Sequence, residues 1–143
     1  MTKTDVLKII DRWIAGEKSI HNHETTEVLE DLRKDIEAIP SMPVAYISGP
    51  LAGVNLNAIH ENIDRADDVA AKVWGQGFAV ICPHTNSGHM MGSHPEEIFM
   101  AGALELLRRS DVLIQLPTWE SSPGARAEHA LAIKLGKTIR TEV

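Results

Sequence analysis

The chain is predicted to be an α/β protein. Its core would be a Rossmann-like (flavodoxin-like) parallel sheet of about four to five strands flanked by helices, preceded by an N-terminal helical hairpin. Three observations lead there. Short apolar runs at 44–48 (VAYIS), 78–82 (FAVIC) and from Val112 to Leu116 suit strands buried on both faces. Longer segments with helical periodicity separate them. From Val44 onward the order is therefore β-α-β-α-β-α-β, and crossovers of that length imply right-handed connections in a parallel sheet.

The elements follow in order. Residues 4–15 place Val6, Ile9, Ile10, Trp13 and Ile14 at helical spacing, with Gly16 as a stop. Residues 24–38 repeat the pattern through Val28, Leu29, Leu32 and Ile36, and the stretch between the two is polar. Pro40-Ser41-Met42-Pro43 separates this hairpin, 1–40, from an α/β domain at 44–143. After the strand 44–48 comes the tight turn Gly49-Pro50-Leu51-Ala52-Gly53. A helix then carries Leu56, Ile59, Ile63, Ala66, Ala70 and Val73 on one stripe, capped by Asn55 or Asn57 and ended by Gly75 and Gly77. Segment 83–94 is polar, with glycines, three histidines and a Met pair, and reads as an irregular, mobile lid. Pro95 can open a helix running to about Arg109, and the strand of Asp111 follows. Beyond it lie a short polar loop, a helix entered through Gly124 and ending near Gly136, and a final strand at 137–141.

Composition bounds the function. With 143 residues there is enough chain for a proper core, and 43% apolar and 24% charged residues are ordinary for a globular protein. A net charge of −6 argues against a nucleic-acid polymer or an anionic membrane as partner. Cys82 is the only cysteine, so neither a disulfide framework nor a Cys-based zinc site is expected. Nothing resembles a secretory signal or a membrane span, and a cytoplasmic protein is the expectation.

The stretch that carries most meaning is 111–130, DVLIQLPTWESSPGARAEHA. It reads strand, loop, helix start, and open parallel sheets bind ligands beyond the carboxyl ends of their strands. Glu128 stands there, about one turn into the helix. It is either a surface carboxylate complementing the helix dipole, or a nucleophile suited to an anomeric carbon. Tyr46 is a packing residue or the hydroxyl that orients Glu128. Ser121 and Ser122 either cap the turn or bind a substrate hydroxyl. The turn 49–53 is neither GxGxxG nor a P-loop, though its amides can approach an anion or a sugar. Trp119 either anchors its loop or stacks on a base. Arg108 and Arg109 read as helix-dipole partners. His21-Asn22-His23-Glu24 reads as a solvated inter-helix turn, and His84, His89 and His94, five apart, do not share a helical face. No metal and no cofactor is expected.

YISGPLAG, the Asn-capped helix after it, and SDVLIQLPTWESSPGARAEHALAIKLGKTI resemble the nucleoside 2-deoxyribosyltransferase superfamily, especially a small bacterial and phage branch related to the 2′-deoxynucleoside 5′-phosphate N-hydrolases. The match spans about 44–139 and leaves the hairpin outside. The resemblance implies reaction at an N-glycosidic bond of a nucleoside or nucleotide. The family's nucleophilic glutamate falls on Glu128, its strand-one tyrosine on Tyr46, and its substrate-contacting serine, six residues before the glutamate, on Ser122. Gly49 and Gly53 match the sugar- or phosphate-cradling turn, and Ser48, Pro50, Asn57, His84 and Gly124 complete the expected substrate-binding set. A homo-oligomer, a dimer or higher, is also implied. The chain departs from the pattern where the family carries an aspartate eight residues before the strand's opening Asp: here stands Ala103. Pro50 and Ala52 likewise stand where related monophosphate hydrolases offer Ser and Arg. The expectation is thus an N-glycosidic hydrolase or transferase acting on a (deoxy)nucleoside or its 5′-monophosphate through Glu128. The alternative is a nucleotide-binding module that no longer cuts.

Overall fold

The computed structural model describes residues 2–19 and 23–141. The chain divides between Ser41 and Met42 into two compact units. In the first, α1 (Lys3–Ser19) and α2 (His23–Ala38) form the expected hairpin. They run antiparallel: Lys3 Nζ at the start of α1 donates to the carbonyls of Glu37 (2.8 Å) and Ile39 (2.7 Å) at the end of α2. Arg33 on α2 bridges Asp11 on α1 at 2.6 Å and Glu37 at 2.9 Å. Gly16 does not stop α1, which continues to Ser19. A single glycine costs a helix only about 1 kcal/mol relative to alanine, and the neighbouring turns carry it. Of the His21-Asn22-His23-Glu24 turn, His21 and Asn22 lie outside the described residues; His23 and Glu24 open α2.

In the second unit a four-stranded, all-parallel sheet has the order β2-β1-β3-β4, with β1 at Val44–Ser48, β2 at Ala79–Ile81, β3 at Val112–Gln115 and β4 at Thr138–Thr141. This is the expected Rossmann-like, flavodoxin-like arrangement. The helices are α3 (Leu56–Gly75), α4 (Pro83–Ser87), α5 (Glu96–Arg109) and α6 (Pro123–Lys134). Asn55, not Asn57, caps α3: its Oδ1 accepts from the Ala58 amide at 2.9 Å. Gly77 leaves the helix at φ +86, a conformation a Cβ would strain. Segment 83–94 is less irregular than its composition suggests. Pro83 sits at the first helical position of α4, where its missing N–H costs nothing, and a 3-10 turn at Gly88–Met90 follows.

Alternation along the strands sorts two cores. Ala45 and Ile47 of β1, with Val112 and Ile114 of β3 and Leu116 just beyond it, pack on Ala66, Val69, Ala70 and Val73 of α3. On the other face Tyr46 and Leu113 pack with Leu107 and Ala103 of α5 and Leu131 and Ala132 of α6. Register between β1 and β3 is Ala45↔Val112 through Ser48↔Gln115. It is fixed at the start of the strands by Asp111, whose amide donates to the Val44 carbonyl (2.8 Å) and whose carboxylate accepts from the Val44 amide (2.7 Å).

Candidate active site at the carboxyl ends of β1 and β3

In the order β2-β1-β3-β4, the chain turns from one side of the sheet to the other between β1 and β3, the crevice where open α/β sheets place ligands. Tyr46 and Ser48, two apart on β1, point to the same face there. The second turn of α6 brings Glu128 over them. The Tyr46 hydroxyl donates to Glu128 Oε1 at 2.6 Å and the Ser48 hydroxyl to Oε2 at 2.6 Å. Both distances are those of charge-assisted O–H···O⁻ bonds. All three residues are buried, with Glu128 6% exposed. Glu128 is therefore no surface dipole partner.

Burial pushes the Glu128 carboxyl above its ordinary pKa, and the two hydroxyl donors pull in the opposite direction. The same burial, reinforced by the neighbouring carboxylate, drives the Tyr46 phenol upward, so it stays a neutral donor. The pair holds one carboxylate with a donor on each oxygen. That is an oriented, poorly solvated carboxylate.

The turn at 49–53 follows Ser48 directly. Gly49 is required by close approach: a Cβ there would lie 2.6 Å from Leu116 Cδ1. Gly53 is similarly pressed on α3, where a Cβ would fall 2.7 Å from Ala58 Cβ and 2.9 Å from the Ile59 amide nitrogen. Asn62 of α3 donates to the carbonyls of Leu51 (3.3 Å) and Ala52 (3.1 Å). His84 of α4 lies 3.1 Å from the Pro50 carbonyl through Nε2. Burial lowers the His84 pKa, which favours the neutral ring; Nε2–H donates to Pro50, and Nδ1 is left buried without a hydrogen-bond partner among the described residues. His84 thus reaches the site through the turn rather than through Glu128. Asn57 lies exposed on the first turn of α3.

After β3 the loop is built by its own side chains. Thr118 adopts a left-handed backbone, φ 64, and its carbonyl accepts from the Ser121 hydroxyl at 2.7 Å. Ser122 caps α6, accepting from the Ala125 amide at 3.3 Å. Gly124 faces Met100 of α5: a Cβ there would lie 2.8 Å from Met100 Cε. Trp119 stacks on His129 with centroids 4.3 Å apart and planes at 22°, so its ring anchors the loop. His129 Nδ1 meets Gln115 Oε1 at 3.1 Å, and Gln115 is the register neighbour of Ser48. Ser48, expected among the substrate-binding residues, instead donates to Glu128; Gln115 is the polar group that the pattern of apolar runs concealed, and its signal is a polar residue closing an otherwise apolar strand.

Ala103 packs in the Tyr46 cluster and brings no carboxyl to it. Glu105 does not replace one, because Arg108 (2.8 Å) and Arg109 (2.7 Å) engage it and hold its carboxyl at about 2. These arginines are thus partners of Glu105 as well as of the helix terminus. Among the described residues no cluster of three or more His, Cys, Asp or Glu is placed to hold a metal ion, and no helix is long and apolar enough to cross a membrane.

A parallel α/β sheet with a doubly hydrogen-bonded buried glutamate at its switch point defines the class of protein. The chain belongs to the family described as a domain of unknown function, DUF4406, whose profile matches residues 43–141. No curated protein matches it.

Proposed function

We propose that the protein breaks, or transfers across, the N-glycosidic bond of a (deoxy)nucleoside or nucleoside 5′-monophosphate. The observation that carries this reading is the Glu128 carboxylate, held by Tyr46 and Ser48 on one oxygen each at the switch point of the sheet. In the reaction a Glu128 oxygen forms a bond to C1′ while the C1′–N bond breaks, and its electron pair leaves with the base, which takes a proton from water. Water or the ring nitrogen of a second base then attacks C1′ and releases the carboxylate. A carboxylate is suited to this because it stabilises positive charge at C1′ before the bond forms. The resemblance to nucleoside 2-deoxyribosyltransferases supports the same assignment, and a homo-oligomer belongs to the same proposal.

The test is chromatography of free base after incubation with ribo- and deoxyribonucleosides and their monophosphates. Enzyme-dependent release that disappears in Glu128→Ala, with the fold intact by circular dichroism, supports the reading. Release that persists in the variant removes Glu128 from the mechanism. Ala103 favours a second reading, a binding module without turnover. Ligand-induced stabilisation with no base release across the panel would select it.

A further inference from the structure

The hairpin of α1 and α2 lies outside residues 43–141, the stretch that the family profile covers. A two-helix unit of its size buries little core by itself and usually needs a disulfide, a metal or association. It contains no cysteine. How its side chains divide follows from the step of about 100° per residue in an α-helix. Ile10 and Ile14 of α1 are buried, and Leu29 and Ile36 of α2 are half-buried, which marks the stripe each helix turns toward the other. One step after these stripes come Asp11 and Glu37, on the side where Arg33 bridges both. One step before them come Ile9 and Trp13 on α1 and Val28 on α2, with Leu32 one turn beyond Val28. Because the helices are antiparallel, the forward steps share one side of the hairpin and the backward steps share the other. One face is therefore closed by its own ion pairs. On the opposite, apolar face Ile9, Trp13, Val28 and Leu32 are 36%, 57%, 63% and 45% exposed.

We propose that this apolar face docks on the same face of a second copy of the chain, closing an antiparallel four-helix bundle in which α1 of each copy packs on α2 of the other. Charge selects that occupant and that arrangement. Lys8 and Arg12, four apart, follow the outer flank of α1, and Asp31 and Asp35, four apart, follow that of α2; all four are exposed. The apolar face is thus basic along one edge and acidic along the other. A two-fold axis parallel to the helices lays each edge against its opposite. The Arg33–Asp11 bridge sets the level of one helix against the other. At that level Arg12 of one copy comes opposite Asp31 of the second and Lys8 opposite Asp35, while Trp13 drops between Val28 and Leu32. Asp31 meets Lys34 of its own helix through one oxygen, at 3.2 Å, which leaves the other oxygen for this pairing. Turning the second copy end over end would stack α1 on α1 and set like charges together. The area suffices as well. A face about 25 Å long and two helices wide buries on the order of 500 Å² per copy, and the pair reaches the roughly 1,000 Å² of a specific interface. The pairing goes beyond the N-glycosidic reading and does not depend on it.

Sedimentation equilibrium on the full chain tests it, because mass is the only readout. Trp13→Glu places a charge at the centre of the face on a side chain that is already exposed, and it should halve the mass of the parent while circular dichroism shows the helices retained. Arg12→Asp alone, or Asp31→Arg alone, should weaken association about tenfold or more, and the two together should restore it. The charge exchange keeps the test open even where Trp13→Glu disturbs the hairpin itself. A monomeric parent, a mass unmoved by Trp13→Glu, or charge reversals whose losses merely add each overturns the proposal. A face covered by another part of the same chain, or kept for a different protein, gives the monomeric parent and is excluded or established by that result. Absence of base release from every nucleoside would remove the N-glycosidic reading and leave this interface standing.

Discussion

Strand β1 shows one face to α3 and the other to α5 and α6, and neighbouring residues on it live in opposite chemistry. Ala45 and Ile47 enter a core of aliphatic side chains. Tyr46 and Ser48, between and beside them, carry hydroxyls that meet a buried carboxylate. Both faces are equally dry, with all four residues 0% exposed. What differs is the sign of the contribution. Burying aliphatic surface stabilises the fold by roughly 25 cal/mol per Å². Burying Glu128 costs desolvation that its two hydrogen bonds only partly offset, as the upward shift of its pKa records. One strand therefore holds the structure together with its odd residues and carries a buried polar group on its even ones.

That contrast can be broken from either side. The largest effect is expected from Ile47→Ala, which opens a cavity in the α3 core and should cost about 2–5 kcal/mol in urea unfolding. Base release per folded molecule should be unchanged; a matching loss of activity would show that the faces are not independent. Tyr46→Phe keeps the ring packed and deletes the donor to Oε1. It should cost about 1–3 kcal/mol of stability and lower base release by more than that stability loss explains through unfolding. An active, fully stable Phe variant would reduce Tyr46 to a packing residue.

Glu128→Gln should have the smallest effect on stability and the opposite sign. Folding raises the Glu128 pKa, so the native state binds more protons than the unfolded chain between the ordinary value of 4.5 and the native one. Stability falls as pH rises through that window. Glutamine removes the penalty, so the variant should be more stable than the parent above the window, by on the order of 1 kcal/mol, with the gap closing as pH drops toward 4.5. Melting curves across pH measure it, and a gap that widens on acidification would contradict the assignment.

The sequence made the sheet plain because buried parallel strands are continuous apolar runs, and VAYIS and FAVIC stand out between helical stripes. Strand–loop–helix order placed Glu128 at the strand ends but left it open between surface carboxylate and nucleophile, as it left Tyr46 open between packing and orienting Glu128; the resemblance is what singled the two out. Helix α4 was not legible: its five residues, PHTNS, have turn chemistry and no apolar period. His84 looked like part of a lid for that reason, whereas the structure makes it the prop under Pro50. Asn62 was hidden inside a helical stripe read for its apolar members, so its hold on the turn was invisible. The Gln115–His129–Trp119 chain joins residues on three consecutive elements, and only the fold brings such polar partners together.

Asp111 stands at the far end of the sheet from the site, yet it decides which residues reach it. Its grip on both backbone groups of Val44 fixes the pairing of two segments 67 residues apart. A slip of one residue would turn Ile47 toward α6 and bury the two hydroxyls under α3. Strand pairings over such separations form slowly and offer wrong alignments on the way. A carboxylate that recognises one amide, beside an amide that recognises the same residue's carbonyl, rewards only the correct alignment. Asp111 acts as the proofreader of assembly for a candidate site it never touches.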